Sequence, residues 1–181
     1  MKFKYLIITI LISLAMNQKG FSQTQATADI YFTVPEIALL DIEPNTSDII
    51  LNFEAPITAG EPLETTTDDS KWLNYTSTIT TGGIPKNITA QITSETQIPG
   101  LKFELSASNY SGSGKGTLGS PAGKINLNTT AQAIISGIGG CHTNTGANSG
   151  HRLEYTASIN DYSTFELPTI PSVDIIFTFS N

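Results

Sequence analysis

Cys141, His142 and His151 fall within one short stretch, GGCHTNTGANSGH (139–151), and are the chain's one cysteine and both of its histidines. A thiol beside an imidazole is the material of nucleophilic catalysis, where a base draws the proton and a third group orients that base. The same residue types ligate zinc. Adjacent residues on an extended chain point to opposite faces, so Cys141 and His142 do not pair with each other. Only His151, returned by a turn, reaches the thiol. Zinc takes three or four ligands, and no acidic residue lies between 139 and 153 to add one. The reading adopted is a glycine-rich surface loop with a free thiol, followed by His151 at the start of the strand HRLEYTASI. It assigns no catalytic residue, metal ligand or cofactor, and leaves the thiol open to pairing between chains.

Three other patterns invite chemistry. GSGKGT (112–117) resembles part of a nucleotide-binding phosphate loop, but the opening glycine is replaced by Asn109. Gly119, Pro121 and Gly123 then prevent the helix whose N-terminus such a loop needs. It reads as a flexible glycine-serine connection. The acidic run EPLETTTDD (61–69) places Glu61, Glu64, Asp68 and Asp69 together without calcium-loop spacing, and reads as a solvated loop. Trp72, Tyr75, Tyr110, Tyr155 and Tyr162 are of the type that stacks on sugars, and Trp72 and Tyr75 are the candidate glycan contacts. Such residues more often belong to the core or a strand face of a sandwich.

The elements that carry these residues follow from the rest of the chain. It opens MKFKYLIITILISLAMNQKGFSQ, with basic Lys2 and Lys4, an apolar run from Leu6 to Ala15, and small Gly20 and Ser22 before Gln23. This is the pattern of a secretory signal peptide, residues 1–22, too short to remain as a spanning helix. No second apolar run is long enough to span a membrane. The expected location is secreted or cell-surface, with the periplasm as a further destination. Removing Lys2, Lys4 and Lys19 leaves six of the nine basic residues against sixteen acidic ones, a net charge of −10. That excludes nucleic acid and anionic membranes as natural partners. A single cysteine cannot close a disulfide within the chain, so the core must supply the stability.

Residues 23–181 form one domain in this reading, without repeats. Apolar residues alternate instead of recurring at helical spacing. ATADIYFTV puts Ala26, Ala28, Ile30, Phe32 and Val34 on one face, and Pro35 ends it. EIALLDIE, DIILNFEAP, KWLNYTSTIT, KNITAQIT, LKFELSAS, GKINLN, QAIISGI, HRLEYTASI and SVDIIFTFS follow, separated by glycine and proline turns. About nine or ten short strands of this kind predict an all-β, antiparallel, immunoglobulin-like sandwich.

The two ends suit strand exchange, in which one subunit completes the sheet of the next. Here the sequence resembles bacterial fimbrial major subunits of the alternate chaperone–usher type. ATADIYFTVPEIALLDIEP with DIILNFEAP is similar to their donor strand, proline break and first domain strands, and SVDIIFTFSN to their terminal strand. The lack of a disulfide fits that branch. The resemblance implies a donor face of Ala26, Ala28, Ile30, Phe32 and Val34, and a terminal-strand groove face of Val173, Ile175, Phe177 and Phe179. The expectation is a non-enzymatic structural or adhesive subunit of a bacterial surface assembly, partnered by copies of itself or by another surface subunit. The alternative is a carbohydrate-binding or adhesive module acting as a monomer, with a hydrolase as the third reading.

Overall fold

The computed structural model describes residues 25–45, 47–93, 98–166 and 172–180. The expected signal peptide lies outside the described residues. Within them there is no helix, and none long and apolar enough to cross a membrane. The protein is all-β and antiparallel. Nine strands lie among the described residues: β1 (Ala38–Glu43), β2 (Thr66–Ser77), β3 (Lys86–Ile92), β4 (Leu101–Ala107), β5 (Lys115–Pro121), β6 (Ile125–Leu127), β7 (Gln132–His142), β8 (His151–Ile159) and β9 (Ile175–Ser180).

Hydrogen bonding links all nine through β2, which takes part in three ladders, with β8, β7 and β1. Its first part pairs β8, from Thr66↔Ala157 to Leu73↔His151, across a bulge between Asp68 and Lys71. Its last two residues pair β7, Thr76↔His142 and Ser77↔Cys141. The order is therefore β6-β4-β8-β2-β1 on one side of this junction and β5-β7-β3-β9 on the other. β4 with β7, β6 with β3 and β7, and β1 with β9 approach one another without forming a ladder. That is the arrangement of two packed layers, a β-sandwich.

Period-two alternation builds the core between them. In β3, Ile88, Ala90 and Ile92 are buried while Asn87, Thr89 and Gln91 are half-buried. Leu73, Ile88, Leu105, Ile134, Ile135, Ile138 and Leu153 have no exposed surface. Each such side chain contributes roughly 1.5–3 kcal/mol.

The described structure corrects four expectations. GSGKGT is a loop only over its first three residues: β5 begins within it, at Lys115, and pairs β7. Gly116 and Gly119 permit this, with φ of 95° and 76°. A Cβ at Gly116 would lie 2.1 Å from the Gly140 carbonyl oxygen, so only glycine lets the two backbones approach. Second, β7 continues through Gly139 and Gly140 to His142, so Cys141 is a buried strand residue and not on a surface loop. Third, β2 begins inside the acidic run, at Thr66. Fourth, DIILNFEAP is not a strand. Ile49, Leu51 and Phe53 are half-buried and alternate with exposed neighbours, but residues 47–55 form no ladder. Alternation supplies a face; a strand also needs a partner edge.

The chain divides between Val34 and Pro35. In the first part, residues 25–34 form no strand. Ile30, Phe32 and Val34 are 85, 84 and 64% exposed.

Candidate functional site

Each layer ends in two edge strands, and the four edges differ in chemistry. β6 is only three residues long. β5, KGTLGSP, carries Lys115 and Pro121 and is kinked at its glycines, which are the usual devices that blunt an edge. β9, IIFTFS, carries no charge and no proline, while β1, ALLDIE, carries Asp41 and Glu43. Among the described residues β1 pairs only β2, from Ala38↔Ser77 to Glu43↔Trp72, and β9 pairs only β3, from Asn87↔Ser180 to Ile92↔Ile175. No further strand pairs with either among the described residues, and the Ile42 amide of β1 donates to the Asp41 carboxylate at 2.9 Å.

These two edges are neighbours, one in each layer, and the seam between them is apolar. Leu40 and Ile42 of β1 pack against the core, as do Ile49 and Leu51 after it in the chain. On the β9 side Val173, Ile175, Phe177 and Phe179 do the same. All eight pack on the core yet remain half-buried. Phe179 meets the ring of Tyr75 edge-to-face, with centroids 6.0 Å apart.

Beneath Tyr75 lies a polar cluster. His151 is fully buried, and its ring stacks on Tyr75 at a 5.8 Å centroid distance. His151 Nδ1 lies 2.8 Å from the Ser108 carbonyl oxygen. That oxygen can only accept, so Nδ1 carries the proton. Nε2 lies 2.9 Å from the Tyr75 hydroxyl. The Tyr75 hydroxyl also donates to the Leu118 carbonyl. Burial pushes the imidazole pKa down, and the two backbone carbonyls pull it partly back. Burial likewise raises the Tyr75 phenol, with smaller contributions from Cys141 and Tyr110.

The residues that first suggested chemistry are therefore dispersed. Cys141 is buried and His142 exposed, on opposite faces of β7. Burial pushes the Cys141 thiol up, away from the thiolate a nucleophile needs. His151 opens β8, and both its nitrogens face oxygen partners. Among the described residues, no three side chains of metal-ligating type converge. Asp68 instead accepts from the Ser70 amide and hydroxyl. Asp69 pairs with Arg152.

Of the candidate glycan contacts, Tyr75 is corrected. It is 3% exposed and belongs to the core, so its ring face cannot meet a sugar. Trp72 is three residues away on the same strand and so on the opposite face. With Ser108, Asn109, Ser111, Asn148, Gly150 and Arg152 it lines an open cleft of about 500 Å³. The Arg152 guanidinium sits over the Trp72 ring, 6.0 Å from its centroid.

Sequence reasoning found the inward face of β9 but missed the Tyr75–His151 cluster. Its members are separated by 76 positions, and only the β2–β8 ladder brings them together. An all-β, antiparallel sandwich, with half-buried apolar residues on its neighbouring strands β1 and β9, is the class that this fold defines. Comparison with protein-family models, with curated proteins and with solved structures finds no match to the chain.

Proposed function

We propose that the protein is a self-assembling subunit of a bacterial surface or extracellular structure, built by strand exchange. Residues 25–34 of one copy enter the seam between β1 and β9 of another. One observation carries the reading. Among the described residues the chain holds an exposed segment with an alternating apolar face that forms no strand, and also half-buried apolar residues on β1 and β9, each of which has one ladder partner. Each is costly alone and each completes the other. A strand added there satisfies backbone groups at an edge while alternate side chains fill the seam.

Ala26, Ala28, Ile30, Phe32 and Val34 form the inserting face. Burying Ile30, Phe32 and Val34 contributes roughly 1.5–3 kcal/mol each. The test uses the exported chain. Ile30→Asp or Phe32→Asp forfeits that burial and places a charge in an apolar seam. These variants are expected to stay folded as monomers in size-exclusion chromatography, while Thr33→Asp, on the opposite face, assembles like the wild type. A wild type that stays monomeric at every concentration refutes the reading. Export itself is tested by mass spectrometry of the secreted protein, which should begin near Gln23.

A second reading is favoured by the Trp72 cleft: a glycan-binding module, in which the Asn and Ser side chains hydrogen-bond a sugar lying on the indole. Arg152 already lies over that ring, which weighs against it. Glycan binding by the wild type that is lost in Trp72→Ala would bring this reading forward.

A further inference from the structure

We infer that Thr78 and Lys86 are positioning residues that direct residues 25–34 to a second copy instead of the chain's own seam. The inference rests on the strand-exchange reading. The regular β1–β2 ladder ends at Ala38↔Ser77, but the hydrogen bonding does not. The Thr78 amide donates to the Ile37 carbonyl at 3.0 Å. The Thr78 hydroxyl accepts from the Ile37 amide at 2.6 Å and donates to the Pro35 carbonyl at 3.1 Å. Lys86, at the start of β3, is 5% exposed. Its ammonium forms an ion pair with Glu36 at 2.9 Å and donates to the Thr78 carbonyl at 3.2 Å and the Ile37 carbonyl at 3.5 Å.

Every residue between the exposed segment and β1 is thereby held. Pro35 is held by its carbonyl, Glu36 by its carboxylate, and Ile37 by both backbone groups. A hairpin that laid residues 25–34 back along β1 would need about two to five residues free to turn. Pro35, Glu36 and Ile37 are the residues that join the segment to β1, and Ile37 is already paired beside β2. Pro35 adds a fixed φ. Self-insertion therefore requires breaking this clamp, whereas insertion into another copy leaves it intact. The alternating face would fit either seam; the clamp decides between them.

The test is the full exported chain carrying Thr78→Val with Lys86→Met, which removes the polar holds and keeps most of the volume. The ratio of monomer to assembled protein is expected to rise about tenfold, the scale set by losing one or two net hydrogen bonds. In the monomer fraction, residues 25–34 should become resistant to protease. Thr78→Ser keeps the hydroxyl and should assemble like the wild type. Adding Phe32→Asp separates release of the segment from simple damage. In the clamp variant it should lower the urea midpoint of the monomer, because Phe32 now sits in its own seam; in the wild-type background it should not. Assembly of the clamp variant at the wild-type level, with the segment of its monomers still cleaved, would overturn the inference. If the double variant does not fold, Thr78→Val alone is read by the same two measurements. A wild type that never assembles and is indifferent to Phe32→Asp overturns strand exchange itself.

Discussion

Two buried groups set the behaviour expected at the scale of single residues. The Tyr75 hydroxyl has one proton and faces two acceptors, the Leu118 carbonyl and Nε2 of neutral His151. Protonating His151 would relieve that competition, but burial is the larger influence and holds its pKa below the ordinary value. The unfolded chain therefore takes up the proton first, near the ordinary histidine value of about 6.5. The stability contributed by neutral His151 is complete above that pH and is lost as pH falls towards the lower folded value. Urea denaturation should show wild-type stability declining between about pH 7 and pH 5 more steeply than that of His151→Gln. The same variant should lose about 1–3 kcal/mol at pH 7.5, because the Ser108 carbonyl and the Tyr75 hydroxyl lose a partner. Cys141 yields a second prediction. As a surface-loop residue it would tolerate Cys141→Ser within about 0.5 kcal/mol. As a buried residue of β7 it should lose about 1–3 kcal/mol through the desolvated hydroxyl. A thiol reagent should modify the native protein slowly and the urea-unfolded protein fast.

At the scale of elements, the strands divide by how their partners are specified. β3 and β8 are readable from the chain because each has an alternating face, and the hydrophobic effect demands that the face be buried. β5 is not readable that way, since KGTLGSP has only one large apolar side chain, Leu118. It is a strand because its glycines let its backbone reach β7, a property of the pair and not of either sequence. The same reasoning extends β7 through Gly139 and Gly140, which read as loop when taken alone. Residues 26–34 and 47–55 show the converse: both alternate, yet neither forms a strand among the described residues. The prediction at this scale is Gly116→Ala. Its φ of 95° is strained for alanine, and the new Cβ would meet the Gly140 carbonyl. It should cost about 2 kcal/mol or more. Hydrogen exchange should show lost protection in β5 and the facing part of β7, with β4 and β8 unchanged.

For the whole molecule, the arrangement of edges matters more than any single one. β5 carries Lys115, Pro121 and two kinking glycines and β6 has three residues, while β1 and β9, six residues each, lie next to one another among the described residues. On the proposed strand-exchange reading, each copy has one segment to give and one seam to fill. That is the condition for a linear, head-to-tail array instead of a closed, symmetric dimer. The arrangement can be tested by separating the two functions. Phe32→Asp removes the giving segment and leaves the seam. Phe177→Asp, placed in β9 opposite Ala90, charges the seam and leaves the segment. Each variant alone should remain monomeric. Mixed, they should form a one-to-one dimer and nothing larger, because the Phe177→Asp chain gives its segment to the Phe32→Asp chain, which can give nothing onward. Sedimentation velocity distinguishes the outcomes. A mixture that stays monomeric would show that the segment and the seam are not partners, and a mixture that forms long arrays would show that assembly uses another surface.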